Sequence, residues 1–356
     1  MKVLLIHNKY QYYGGEDTYV YSLQKLLISN GYKVILYIKD SKNIQTTWDK
    51  IKVAFGLLWN HRAYQELEEI IQKEKPDVAH FNNIYPLIGA TAFYICKKYN
   101  LKIVHTIHNY RFMCPKGILF RDGKICELCI NKRFFSPAIR HGCYHGSKVA
   151  SFFYSLAFYL HKTVGAFSYI NTYIFPSKFT QKYYEKYFGV TKNRSTYLPY
   201  FVDFKPSKRK YTREDWYLYV GRLSEEKGIV GLLDIFKKMQ KYKLKVIGGG
   251  SLRDEINQYN KYKNIEILGE IPRHKLGNMF QKAKALIIPS LWYEVSPMVA
   301  IEAAHYKTTI IKSFYSKPIS KLRTIARRFT SPYFHLSKLI SIYTNQINKK
   351  IINFNR

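Results

Sequence analysis

The stretch Ala285–Ala304, AlaLeuIleIleProSerLeuTrpTyrGluValSerProMetValAlaIleGluAlaAla, constrains the fold of this chain more than any other. Ala285 to Ile288 is a short apolar run stopped by Pro289 and Ser290, the pattern of a buried strand in a parallel sheet. Ser296 and Pro297 then read as an N-cap hydroxyl and a proline at the first helical position. The helix they start carries Glu302 in its second turn, and Glu294 lies in the loop before it. Strand, loop and helix in that order call for an open α/β sheet, in which ligands bind outside the carboxyl ends of the strands. A helix N-terminus at that edge already favours anions, and an ionised carboxylate accepts from paired hydroxyls of a sugar or a ribose. The bland alternative is one loop-capping Glu and one solvated helix Glu.

At 356 residues and 47% hydrophobic content the chain has material for two α/β domains. Lys plus Arg number 58 against 24 Asp plus Glu, a formal charge of +34. The excess is spread along the chain, so it favours anionic partners in general, an anionic membrane surface among them, and selects none. No motif that reads nucleic acid is present, and nucleic acid is not an expected partner. MetLysValLeuLeuIleHis is too short for a secretory signal and reads as a first buried strand; no stretch is a clean transmembrane helix. Five cysteines, an odd number, suit a reducing cytoplasm better than a disulfide scaffold.

Val3–Ile6 is the first expected strand, followed by Gly14 and Gly15 before a helix beginning near Asp17. Glycines at such a turn let backbone amides approach a phosphate at the positive end of the helix. Val34–Tyr37, Asp77–Phe81 and Ile103–Ile107 are further strands, with His108 at the ligand-facing end of the last. From Cys114 the alternation gives way to a loop-rich insertion holding Cys114, Cys126, Cys129 and Cys143. A closed tetrahedral zinc site fits the Cys-x2-Cys pair, with His141 and His145 as substitute ligands; buried free thiols are the alternative. Ser151–Ile170, apolar and aromatic, reads as a core helix, with a membrane-facing helix as the other reading. Tyr173–Phe175 is read as the last strand of the first domain, and Leu198–Phe204 as the crossing to the second.

Trp216–Val220 is a strand, and Gly221, Arg222, Leu223, Ser224, Glu225, Glu226, Lys227, Gly228 follow it. Arg222 and Lys227 place a planar fork and a point charge where both reach one diphosphate. Leu244–Gly250 is a strand ending in a glycine turn that includes Gly249. Ile265–Leu268 and a helix around His274–Lys284 complete the approach to the opening stretch.

The spacing Glu294, seven residues, Glu302, together with the Gly-Arg…Glu-Lys-Gly segment upstream, resembles the retaining glycosyltransferases of family 4 over roughly Met1–Ile311. The resemblance implies two Rossmann-like domains facing across a cleft, the GT-B arrangement: an acceptor-side domain over 1–200, a nucleotide-sugar domain over 214–311 and an atypical basic tail over 312–356. It implies transfer of a hexose, with retention, from a nucleoside diphosphate sugar to a lipid-linked or saccharide acceptor in surface-glycan synthesis. By the same resemblance Arg222 and Lys227 stabilise the leaving diphosphate, and Glu294 holds donor-sugar hydroxyls. Glu302 holds the ribose, His108 lies near the transferred sugar, and Gly14 and Gly15 line the phosphates. Gly249 and Ser296 belong to the substrate pocket, and catalysis requires no cofactor. The expected location is the cytoplasm, at the inner membrane face.

A glycoside hydrolase also uses two carboxylates, but a neutral glycan has no need of the two cations. Beyond Ile311 the chain departs from the family: Ser313–Ser320 lacks the usual glycines, and no Asp or Glu follows Glu302. An acid-free tail is unusual for packed helices, so no return helix is expected. The tail reads as a membrane-surface segment or a frameshifted or truncated end, which makes a folded but inactive transferase one alternative function; a basic protein that binds nucleic acid or a membrane surface is the other.

Overall fold

The structure is a computed structural model and describes residues 1–10, 14–202, 212–315 and 331–344. Its first lobe runs β1 (Lys2–Lys9), α1 (Gly15–Ser29), β2 (Lys33–Asp40), α2 (Thr47–Leu58), α3 (His61–Glu74), β3 (Val78–Phe81), α4 (Thr91–Lys98) and β4 (Lys102–Thr106). A small hairpin, β5 (Phe120–Arg121) and β6 (Lys124–Ile125), lies in the cysteine-bearing insertion. Then come α5 (Ser136–Arg140), α6 (Lys148–Thr163), β7 (Thr172–Phe175), α7 (Lys178–Tyr187) and β8 (Ser195–Tyr197). The main sheet is parallel, in the order β2-β1-β3-β4-β7-β8.

Val3 to Asn8 of β1 and all four residues of β3 are buried. Strands covered by helices on both faces read as apolar runs rather than alternations, which is why they stand out in the sequence. The edge strand β8 does not: three half-buried residues show no period, and it corrects the reading of Tyr173–Phe175 as the last strand of this lobe.

The second lobe runs β9 (Trp216–Val220), α8 (Ile229–Lys238), β10 (Lys243–Ile247), α9 (Arg253–Asn257), β11 (Ile265–Gly269), α10 (Arg273–Lys282), β12 (Ala285–Ile288), α11 (Met298–His305) and β13 (Thr309–Lys312). Its sheet is also parallel, in the order β11-β10-β9-β12-β13. The two sheets turn their carboxyl edges toward each other across a cleft lined by the loops after β1, β4, β9, β10 and β12. Residues 203–211, which include Asp203 and Phe204 of the expected crossing, lie outside the described residues.

The tail does not behave as its composition suggests. Pro332–Thr344 forms a helix, α12, whose residues His335, Leu339, Ile342 and Tyr343 are buried. Leu339, Ile342 and Tyr343 join the apolar cluster formed by Leu5, Tyr19 and Val20 of the first lobe with Leu286, Met298 and Ile301 of the second. The expectation of no return helix is therefore overturned: α12 packs on the first lobe. Its buried face needs apolar and aromatic groups, so the lack of acids costs it nothing. Ser331 caps its start, Oγ accepting from Phe334 N at 3.2 Å. The rest of the departure, 316–330 and 345–356, lies outside the described residues.

Helix α6 has a buried face, as the core reading of its stretch expects, and an exposed apolar one. Tyr154, Ala157 and Phe158 are in the core, while Val149, Phe152, Tyr159 and Leu160 are exposed. No helix among the described residues is long and apolar enough to cross a membrane.

Candidate active site

The second-lobe wall is built by two loops held in contact. Gly228 adopts φ +69, and a Cβ there would stand 2.3 Å from Pro289 O, so the Gly221–Gly228 turn can lie against the loop after β12 only with glycine. Leu291 N donates to Glu226 O at 2.8 Å across the same contact.

Arg222 and Lys227 both line the cleft, and each meets a carboxylate. Arg222 Nη2 donates to Glu226 Oε1 at 2.9 Å, and Ser224 Oγ to the same oxygen at 2.7 Å. Burial raises the Glu226 carboxyl, yet Arg222 and Ser224 hold it below the usual range. Lys227 Nζ donates to Glu294 Oε1 at 2.7 Å and lies 5.0 Å from the Trp292 ring centre. Ser290 Oγ donates to Glu294 Oε1 at 2.6 Å. On α11, Glu302 is buried and accepts from Arg273 Nη2 at 2.8 Å; burial raises its carboxyl, and Arg273 opposes the rise. The reading of Glu302 as a solvated helix residue is excluded.

Ser296 and Gly249 also line the cleft. Ser296 is not the helix cap: α11 begins at Met298 with Pro297 as N-cap, one residue later than the sequence suggests.

On the first-lobe wall, α1 begins at Gly15 rather than Asp17, with Gly14 as its N-cap. Gly14 N donates to Asp17 Oδ2 at 2.8 Å, and Asp17 Oδ1 lies 2.9 Å from His7 Nε2. A Cβ on Gly15 would stand 3.2 Å from Met298 Cγ, so the N-termini of α1 and α11 nearly touch. Two positive helix ends thus converge on one space, as an anion site needs.

His108 lines the cleft with both ring nitrogens engaged: Nε2 is 2.9 Å from Asn82 Oδ1 and Nδ1 is 2.5 Å from the Tyr200 hydroxyl. The amide oxygen only accepts, so Nε2 carries the proton and Nδ1 accepts from Tyr200. Burial first, then the neighbouring His7, His105 and His80, holds the ring neutral. It is a fixed ring with no vacant nitrogen for carrying a proton.

All nine substrate candidates from the sequence therefore border one cleft of about 510 Å³. The four cysteines do not. They are free thiols, Cys114 and Cys129 buried and Cys126 and Cys143 half-buried. Cys129 is pushed up to about 12 by burial and by the nearby thiols of Cys114, Cys143 and Cys126. Among the described residues no three His, Cys, Asp or Glu side chains form a group able to hold a metal ion. His141 Nδ1 accepts from Arg121 Nη1 at 2.9 Å. The four thiols are near neighbours in the insertion, and the zinc site stands as an expectation of the sequence.

Sequence reasoning missed Glu226, Arg273 and the first-lobe group Tyr10, Glu16, Asn109 and Arg111, all but Glu226 lining the cleft. Arg273 opens α10 and Glu16 follows the paired glycines, so place at a helix start was the available signal. Nothing in the sequence pairs Arg273 with Glu302.

Two parallel Rossmann-like sheets facing each other over a cation-lined cleft define the GT-B architecture. The family described as Glycosyltransferase Family 4 matches residues 13–205, and Glycosyl transferases group 1 matches 202–320. The chain belongs to the group 1, family 4 glycosyltransferases. An uncharacterized 42.6 kDa protein in the cps region of Klebsiella pneumoniae is 23% identical over 338 residues, 85% of this chain and 82% of that protein. The amylovoran biosynthesis glycosyltransferase AmsD of Erwinia amylovora is 36% identical over 93 residues, 25% of this chain and 26% of that one. Anabaena HepE, solved with UDP and glucose, has a TM-score of 0.62 at 12% identity, covering 97% of this chain and 100% of its own.

Proposed function

We propose that this glycosyltransferase moves a hexosyl group from a nucleoside diphosphate sugar to a lipid-linked saccharide, with retention, in the synthesis of a surface polysaccharide. The observation that carries the reading is the placement of Arg222 and Lys227 on one turn of the cleft wall, beside the converging N-termini of α1 and α11. When the bond from the anomeric carbon to the diphosphate oxygen breaks, the electron pair leaves with the diphosphate. Preorganised cations and helix dipoles stabilise that charge where it develops. Glu294 Oε1 is taken by Lys227 and Ser290, so Oε2 is the oxygen left for donor-sugar hydroxyls. Glu302, steadied by Arg273, holds the ribose.

The cps-region and amylovoran relatives support the polysaccharide setting, and HepE with its UDP and glucose supports the donor. The case for an inactive relative rested on the tail, and the packed helix α12 weighs against the part of it that expected no return helix.

The site of action is the inner membrane face, reached through an apolar surface on α2 and α6. Trp48, Phe55 and Trp59 are 72%, 59% and 47% exposed, and Val149 on α6 is 66% exposed. Phe55 and Phe153 meet at 5.3 Å and Phe153 and Phe152 at 5.8 Å, so the patch is continuous across the two helices. The exposed Lys50, Lys52 and Lys148 stand on the same helices. Aromatics among lysines suit an anionic lipid surface.

The test of the transferase reading is nucleotide binding. UDP or GDP at one hundred times its Kd adds about 2.7 kcal/mol, a rise in Tm on the order of 5 to 11 °C. Arg222→Ala removes most of that rise, while Glu294→Ala spares free nucleotide and weakens only the sugar nucleotide. A protein whose Tm no nucleoside diphosphate moves would overturn the reading.

A further inference from the structure

The cations of the cleft fall into two sets. Arg222, Lys227 and Arg273 are each bonded to a carboxylate, Glu226, Glu294 and Glu302 respectively. Arg111 and Lys116, on the first-lobe wall, both line the cleft and form no ion pair with a carboxylate among the described residues.

Arg111 is held in place with unusual care for a side chain left without a counter-ion. Its N–H donates to Asn109 Oδ1 at 3.0 Å, and its carbonyl accepts from the Tyr154 hydroxyl at 2.8 Å. The guanidinium lies between the rings of Tyr10 and Tyr144, 6.0 and 5.6 Å from their centres. It also lies against Gly117, where a Cβ would come within 3.6 Å. Nη1 donates to Pro115 O at 3.1 Å, and the buried Nε has no partner among the described residues. A half-buried cation with open donors is costly unless something meets it in use.

The neighbouring acid does not meet it. Glu16 is pushed up to about 8, by burial first and then by Asp17, so it is mostly protonated at pH 7 and leaves the Arg111 charge uncompensated. Asn109 Nδ2 donates to the Tyr10 hydroxyl at 3.0 Å, which fixes one of the rings beside the guanidinium. This part of the wall is therefore a positively charged recess on the lobe opposite the Arg222 turn.

We infer that the acceptor presents an oxyanion, a phosphate or a carboxylate, to the guanidinium fork of Arg111, with Lys116 as the second cation. This rests on the transferase reading and names the chemical class of its acceptor. A planar fork matches either oxyanion in two parallel hydrogen bonds. A phosphate would come from the lipid carrier, a carboxylate from an acidic sugar.

The test uses the full chain, with geranyl phosphate and methyl glucuronoside as probes and geraniol and methyl glucoside as their neutral counterparts. Affinities are measured by ligand-observed NMR, with and without saturating UDP or GDP. One anionic probe is expected to bind at least tenfold more tightly than its neutral counterpart, and which one does so identifies the source of the oxyanion. Arg111→Gln should weaken that probe about 10- to 100-fold while changing nucleotide affinity less than twofold. Lys116→Ser, at a half-buried position, should weaken the probe by a smaller factor. The inference is overturned if neither anion exceeds its neutral counterpart. It is equally overturned if Arg111→Gln weakens nucleotide as much as probe, because Arg111 is then a donor contact. Failure of all nucleotide binding with Arg111-dependent anion binding intact would instead sink the transferase reading alone.

Discussion

The Tyr19 hydroxyl of α1 and Nε2 of His335 on α12 lie 3.1 Å apart, although 316 residues separate them in the chain. His335 Nδ1 is 3.0 Å from Pro199 O; a carbonyl only accepts, so Nδ1 donates and Nε2 accepts from Tyr19. The last described helix is thereby keyed into the lobe to which the first helix belongs.

Truncating the apolar face of α12 should therefore destabilise the protein as a core change does. Leu339→Ala, at a fully buried position, is expected to cost about 2 to 5 kcal/mol. Lys338→Ala, exposed on the same helix, should stay within about 0.5 kcal/mol. Urea unfolding midpoints of the two variants check this, and an unaffected Leu339→Ala would mean that the helix does not pack.

Three buried histidines should make the fold acid-sensitive. Burial holds His335 down to about 4 and His80 and His105 to about 3, against an ordinary value of 6.5. Their contribution is whole above pH 6.5, where folded and unfolded chains both hold them neutral. As pH falls below 6.5 the unfolded chain binds protons first, and stability drops until the folded values are reached near pH 4 to 3. Each such histidine contributes a slope of up to about 1.4 kcal/mol per pH unit in that window. Unfolding free energies between pH 7.5 and 4.5 should show the decline, and His335→Gln should make it shallower.

Glu16 acts in the opposite direction. A carboxyl raised to about 8 favours the folded state while protonated, so its contribution is whole below about pH 4.5 and is lost as pH rises to about 8. Glu16→Gln, which keeps the shape and removes the ionisation, should leave Tm unchanged at pH 4.5 and raise it progressively up to pH 8.5. Equal Tm differences at both ends of that range would show that the carboxyl does not titrate in the cleft.

The apolar surface on α2 and α6 predicts lipid-dependent partition. Wild-type protein should float with vesicles containing an anionic phospholipid and remain largely free with zwitterionic ones. The double variant Trp48→Ser, Phe55→Ser should lose most of that binding without a fall in Tm, since both rings are solvent-exposed. Equal flotation of the variant would remove this surface from the argument.

Much of this protein was written locally in its chain. The strands β9 and β12 lie where their apolar runs place them, because a strand covered on both faces must be apolar throughout. Gly228 marks a turn whose positive φ and contact with Pro289 O exclude a Cβ, and the sequence carries that demand as a single residue. Glu294, Glu302, Arg222 and Lys227 were singled out by residue type and spacing together with the family resemblance that these carry. Their pairing was decided elsewhere: Glu302 meets Arg273 and Lys227 meets Glu294 because β12, α11 and the loops after β9 and β11 converge at one sheet edge. Arg111 gained its meaning only when Tyr10 and Tyr144, distant in sequence, closed on its two sides. The same holds for α12. Its positions His335, Leu339, Ile342 and Tyr343 follow the helical period, but that period says only that one face is apolar. The partner that buries the face, α1 of the first lobe, is chosen by packing between segments more than 300 residues apart, which no local pattern encodes.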